Sequence, residues 1–446
     1  MANPASNARI NLPINPDFDA LHVLDVKGDI LSWIDSKGVG RGALSVPAPV
    51  ISAGSGWFNV KDYGAKGDTK KVLDAVGVVS GNHVTSATAK FTAADVGKTC
   101  WLISSGNGAL MSPAQGTILS INSSTDVTVS STIAVPGSSA AFTWGTDDTA
   151  AVQAAVVAAK AVSVPYNTSF NGGPCATVFF PFGGYILNAI STIAGAYSIS
   201  VSGAGMYDSI LYIGPGFPYH NTGAGNVITQ CVEMTDFTLD GGNVSLAIGN
   251  ILLIDVFDFM RRVRVYNWLA ATGSNNTAVL VDSDDCALED ININVLPTAL
   301  GIHTLQLSIL RASLLSSEYG MFVADTSNIR VLNSFINVGG SGTAVIEGGT
   351  SPNVLDLTFV NCKIISAALA VDLIEMGSIF RFNQCWVIGA TPFSVISGGT
   401  IYCGSSTVTS TNTNAVNNSG DFWDLGGNIF TGAKAGGGTY HTAQFA

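Results

Sequence analysis

The sequence predicts an all-β fold: a right-handed parallel β-helix capped by an N-terminal α-helix, with a small inserted β-domain and an N-terminal adaptor segment. Three observations predict it. Strand-like segments recur through the second two-thirds of the chain at intervals in the twenties. One Ala-rich helical segment stands before them, and the helical period does not return after it. The composition is that of a stacked, low-charge coil: of 446 residues 47% are hydrophobic, 50 are Gly, and only 11% are charged, against about 25% in ordinary soluble domains.

Residues 1–56 hold Pro4, Pro13, Pro16, Pro47 and Pro49 and end in ISAGSG. Within them HVLDV and ILSWID read as two strands joined by a Lys27-Gly28-Asp29 turn. A lone hairpin is marginal in water, so this segment reads as an adaptor or trimer-forming piece. Residues 57–68 and 145–400 are assigned to the β-helix. Between them, residues 69–144 carry short period-2 segments with Gly, Ser and Asn turns, which read as a small β-barrel or sandwich.

The capping helix is placed at 147–162. Asp147 and Asp148 sit where an N-cap and a first turn need acceptors and negative charge. The run from Thr149 to Val162 is rich in Ala, and Pro165 stops it. An amphipathic helix there would close the open end of a coil, whose unpaired edge otherwise invites aggregation.

From about residue 176 the pattern repeats without repeating its letters. Anchors at Phe237, Val263, Ile291, Ser313, Phe335, Cys362 and Cys385 are separated by 26, 28, 22, 22, 27 and 23 residues. A leucine-rich-repeat horseshoe is disfavoured because LxxLxL does not recur; an ordinary sandwich remains a competitor. Residues 401–446 read as a C-terminal segment and a candidate for trimerisation.

Charge and motifs exclude several functions. With 19 Lys+Arg against 31 Asp+Glu the formal charge is −12, which argues against a nucleic-acid partner. No apolar run is long enough to span a bilayer, and residues 1–18 lack the basic and apolar regions of a secretory signal. The seven cysteines include no CxxC pair and the five histidines no HExxH spacing, so no transition-metal site is expected.

The split motif FNVKDYGAKGD at 58–68 and TDDTAAVQAAVVAA at 146–159 resembles the N-terminal signature of the pectin-lyase-like β-helix superfamily. It is most similar to the pectate-lyase-3 type found in bacteriophage tailspikes and capsule depolymerases. In most relatives the two halves are almost contiguous; here a β-domain separates them. The head VLDVKGDILSWIDSKGVGRGAL is similar to N-terminal segments of phage-derived fibre proteins. The resemblance implies a homotrimer that grips a bacterial surface polysaccharide. It also implies a virion tail or extracellular particle as its location, with residues 1–56 as the attachment. Two alternatives stay open: a non-catalytic structural or receptor-binding fibre, and a bacterial polysaccharide hydrolase or lyase.

Whether the chain is an enzyme is left open. If it is catalytic, glycoside hydrolysis by paired carboxylates is favoured over lyase chemistry, with Asp258, Asp284 and Asp285 as candidates because they recur at a similar phase of the repeat. Stacked carboxylates repel, which raises one pKa and makes an acid donor. The same oxygens would suit Ca²⁺, and no other cofactor is expected. Solvated turn residues are the structural alternative. For substrate binding, MRRVRV puts Arg261 and Arg262 on opposite faces of one strand with Arg264 on the Arg262 face. Arg262 and Arg264 suit a uronate carboxylate, and Tyr266, Trp268, Tyr319 and Trp386 suit sugar stacking. Pectate-lyase and polygalacturonase catalytic patterns are not matched.

Overall fold

The computed structural model describes residues 10–11, 20–24, 30–35, 56–104, 108–134, 137–163, 176–188, 193–214, 228–246, 251–253, 259–270, 277–281, 286–295, 298–302, 306–317, 319–323, 328–347, 356–373, 378–395 and 398–442. They fall into two units, Met1–Ser55 and Gly56–Ala446. In the first, Ala20–Leu24 pairs antiparallel with Ile30–Asp35, His22 opposite Trp33, and Ile10–Asn11 adds a third strand. His22–Leu24 of HVLDV and the ILSWID segment thus pair as expected; Asp25, Val26 and the Lys27-Gly28-Asp29 turn lie outside the described residues.

The second unit is built on a parallel β-helix. Its opening strand, Trp57–Asn59, pairs in parallel with Ala176–Phe180, which pairs in turn with Ile193–Gly203. From residue 277 the coils settle into three faces. The first stacks Thr277–Val281, Thr298–Ile302, Tyr319–Val323, Thr343–Glu347, Leu369–Leu373 and Thr391–Val395. The second stacks Cys286–Glu289, Gln306–Leu310, Asn328–Leu332, Asp356–Val360, Ile379–Asn383, Thr400–Gly404, Asp421–Asp424 and Thr439–Thr442. The third stacks Asn292–Asn294, Ser313–Ser316, Phe335–Val338, Lys363–Ser366, Trp386–Gly389, Thr407–Asn418 and Ile429–Ala435.

Strand alternation sends every second side chain inward. Ile329, Val331, Leu357, Phe359, Phe380, Phe382, Ile401 and Phe422 are all buried. Phe359 and Phe382 stack at 5.0 Å with planes 2° apart, and Phe393 meets Phe382 at 5.0 Å. The coil runs through residue 400 without a break and reaches Thr442. Residues 407–418, TVTSTNTNAVNN, hide this continuation in the sequence: Val408, Ala415 and Val416 point inward, but their neighbours are polar.

The helix Thr149–Val162 covers the start of the coil. Val152, Ala155, Val156 and Ala159, at helical spacing, are buried in the same core as Val178 and Ile199. Asp147 accepts the Thr149 N–H at 3.0 Å. Asp148 occupies the N-cap but makes no cap bond with its side chain. Its carboxylate accepts the Lys66 N–H at 2.6 Å and the Gly67 N–H at 3.1 Å. Asp68 accepts the Thr146 N–H at 2.9 Å. The two halves of the split motif therefore meet in space.

The insertion is a closed antiparallel barrel. Six strands run in the order Gly116–Ser123, Asp126–Val129, His83–Thr85, Lys70–Gly77, Gly137–Gly145 and Thr99–Ser104, and the last pairs back with the first through Gly116 and Cys100. Leu102, Val127, Phe142 and Trp144 fill its interior. It docks on the coil through Trp101 and Ile103, packed with Ile186 and Tyr212. Lys71 Nζ also meets the buried Asp240 carboxylate at 2.7 Å.

Candidate functional site

A single left-handed residue leads each of the first six second-face strands, and the equivalent strand of the two earlier coils, around the corner into the next one. The positions are Asp236, Arg262, Asp290, Arg311, Asn333, Asn361, Gln384 and Ser405, with φ between 50° and 64°. Left-handed backbone disfavours a Cβ, and Asn and Asp bear it best. The following residue turns inward: Phe237, Val263, Ile291, Ala312, Ser334, Cys362, Cys385 and Ser406 are buried. Ser334 Oγ accepts the Ala312 N–H at 3.0 Å and donates to the Leu332 carbonyl at 2.8 Å. Ser406 Oγ does the same for the Cys385 N–H and the Gly404 carbonyl. Small polar side chains thus satisfy the backbone groups that the bend frees.

This corner corrects two expectations. Ser313 and Phe335 lie one residue late; the repeat passes through Ala312 and Ser334, which are too small to mark the phase by hydrophobicity. Arg261 and Arg262 do not occupy opposite faces of a regular strand. The left-handed bend at Arg262 breaks the alternation and lets Val263 point inward.

The outward corner side chains form a ladder along the coil. Its early part is ionic: Arg262 grips Asp236 at 2.5 and 2.7 Å, and Arg311 meets both Asp290 and Glu289 at 2.5 Å. The Arg311 guanidinium holds the Asp290 carboxyl below its ordinary range. The later part is neutral: Asn361 Nδ2 donates to Asn333 Oδ1 at 2.8 Å, and Gln384 and Ser405 follow.

A groove of about 480 Å³ opens along this neutral part. It is lined by Asn333, Asn361, Gln384 and Ser405 with the buried residues beside them, and by Phe335, Lys363, Trp386 and Thr407. These last four are in register on successive third-face strands. Trp386 is 47% exposed. Lys363 Nζ lies 4.6 Å from its ring centroid and 5.8 Å from that of Phe335. Cys362 lies deep on this wall, where contact with Cys385 and burial raise its thiol above the usual range. The groove can offer a polar ligand amide donors and acceptors, one aromatic surface and one ammonium.

The residues singled out from sequence are spread widely. Asp258, Asp284 and Asp285 lie outside the described residues. Arg262 belongs to the ionic corner. Arg264 and Tyr266 are brought together, the guanidinium 4.2 Å from the ring, and the Tyr207 ring lies 5.8 Å from the same guanidinium. Tyr266 is half-buried beside Asp240, and burial followed by that carboxylate raises its phenol. Trp268 lies opposite Val244 in the strand Phe259–Ala270. Tyr319 is on the first face, 6.1 Å from Phe322. Trp386 stands apart from all of these in the groove. Among the described residues no three His, Cys, Asp or Glu are grouped to hold a metal ion.

Sequence reasoning missed Asn333, Asn361, Gln384, Ser405 and Lys363. The signal was there: Asn333-Ser334, Asn361-Cys362, Gln384-Cys385 and Ser405-Ser406 are four recurrences of a polar residue before a small inward one.

No family model and no curated protein matches the chain. Solved structures similar to it include the A-module of Azotobacter vinelandii mannuronan C-5 epimerase AlgE4, at 13% identity and TM-score 0.43, over 67% of this chain and 94% of that one. Geobacillus virus E2 ORF18 is similar at 15% identity and TM-score 0.41, over 96% and 71%. The Dettilon tailspike protein gp208 is similar at 10% identity and TM-score 0.44, over 67% and 65%. At these identities the likeness is one of fold.

Proposed function

We propose that this chain is a tailspike-like protein of a virion tail that binds a bacterial surface polysaccharide along the third-face corner. The observation that carries the reading is the groove itself: a half-exposed indole set beside a row of outward amides and hydroxyls on a rigid coil. Sugars present apolar C–H faces and a belt of hydroxyls. They are held by an aromatic surface for the first and paired donors and acceptors for the second. The split FNVKDYGAKGD and TDDTAAVQAAVVAA motif supports the tailspike reading, because its halves join at the coil's start as a single cap.

Among the described residues the groove lining contains no carboxylate, and binding is the role proposed for it. Homotrimeric assembly and attachment through residues 1–56 belong to the same proposal. The test uses purified capsule and lipopolysaccharide from a panel of bacteria, with binding measured by biolayer interferometry and reducing ends assayed after long incubation. Retained binding without new reducing ends is expected. Chain cleavage would replace a binder with a hydrolase or lyase, and absence of binding to every glycan would remove the proposal.

A further inference from the structure

We infer that the polymer held in this groove carries negative charge, and that Lys363 reads it. The inference rests on the glycan-binding proposal and narrows its ligand class.

Lys363 differs from three other cations of the coil, although it shares its lack of an ion pair among the described residues with Arg330. Arg311, two coils earlier, faces Asp290 and Glu289; Arg381, in the next coil, pairs with Asp356; Lys434 meets Asp424. Lys363 makes no ion pair among the described residues, and no carboxylate lines its groove. This occurs in a chain with an excess of 12 negative charges, where an acidic partner is easily supplied.

The ammonium is not free to roam. It sits over the Trp386 ring and near that of Phe335. Cation–π attraction to both rings holds it between consecutive rungs of the third face. Three N–H donors are thereby presented at a defined point with no acceptor among the described residues. Asn361 and Gln384 flank that point with neutral groups. An anionic oxygen on the ligand completes the arrangement through a charge-assisted hydrogen bond. The amides beside it take the hydroxyls. A uronate-type carboxylate and a phosphodiester both have this chemistry.

Three probes separate the sources: polyglucuronate, the same polymer after carboxyl reduction, and poly(glycerol phosphate). Each is titrated into the full chain and into Lys363→Gln, Lys363→Arg and Trp386→Ala by calorimetry at low and high salt. Binding of at least one anionic polymer is expected, weakened about tenfold or more by Lys363→Gln, largely kept by Lys363→Arg, and reduced by salt. The reduced polymer should bind weakly and be indifferent to Lys363→Gln. If the reduced polymer binds as tightly as its parent, or Lys363→Gln leaves anionic binding unchanged, the charge inference falls while the groove stands. If Trp386→Ala leaves all binding intact, the groove reading itself falls. If neither anionic polymer binds while a neutral glycan of the bacterial panel does, the charge inference falls and the groove reading stands; if nothing in the panel binds either, both fall.

Discussion

Asp148, at the start of the capping helix, accepts the backbone N–H groups of Lys66 and Gly67 at 2.6 and 3.1 Å. One buried carboxylate thus joins two stretches of chain separated by the whole barrel. Its position is electrostatically awkward. Burial raises its pKa to about 6; the two backbone bonds oppose that shift, and Asp68 and Asp147 add to it.

The pH dependence follows from that shift. The unfolded carboxyl titrates near 4 and the folded one near 6, so in that window the native state binds the extra proton. Its stabilising contribution is complete below pH 4 and is lost as pH rises through 6, a change on the order of 2–3 kcal/mol. In urea unfolding from pH 4 to 7, the native chain should therefore lose stability relative to Asp148→Asn. A difference between the two that stays flat across that range contradicts the assignment.

Breaking the ion pair that docks the barrel should be costly. Asp240 is fully buried and Lys71 is 15% exposed. Lys71→Met leaves a buried carboxylate without its cation, at about 3 kcal/mol. Adding Asp240→Asn should restore part of the loss. Thermal unfolding of the single and double variants reads the result; a double variant no better than the single one rejects this account.

At the corner, backbone and side chain can be separated. Asn361 has φ near 53°. Asn361→Gly relieves the backbone and removes the amide bond to Asn333. Asn361→Val forces a β-branched residue into left-handed space, at about 1–3 kcal/mol. The Val variant should be clearly less stable than the Gly variant by chemical denaturation; equal stabilities would mean the corner relaxes.

Aromatic residues should divide by role. Phe382→Ala opens a hole in the stacked core and should cost about 3–5 kcal/mol. Trp386→Ala removes a half-exposed ring and should change stability by less than about 1 kcal/mol, while glycan affinity falls about tenfold, or 1.4 kcal/mol. Unfolding curves and binding isotherms on the same preparations decide; a large stability loss in Trp386→Ala would make it a packing residue.

The coil was legible because its physics is periodic. Inward Val, Ile, Leu and Phe recur at matching register from coil to coil, and the Ala-rich helix carries its own capping grammar. The barrel showed in its turn residues, though its closure through Gly116 and Cys100 did not, since ring closure joins segments that no local pattern links. The site was far less legible. Left-handed corners are filled by Asp, Arg, Asn, Gln and Ser in turn, so no letter repeats, and small inward partners such as Ala312 and Ser334 carry no hydrophobic signal. Acidic residues drew attention by chemistry, whereas Lys363 became notable only once its surroundings were known to lack acids.

The barrel leaves and rejoins the coil at one place: Lys70 lies directly across from Trp144, and Asp68 clasps Thr146 just below. Anything spliced there behaves as a detachable cassette. Its length can change at that junction without shifting the phase of the rungs downstream, but its complete loss would strip Lys71 from the buried Asp240 and uncover Ile186 and Tyr212. A deletion that joins residue 69 to residue 145 should leave the Trp386 groove untouched, so cargo carried at that junction and ligand choice at the far corner can evolve independently.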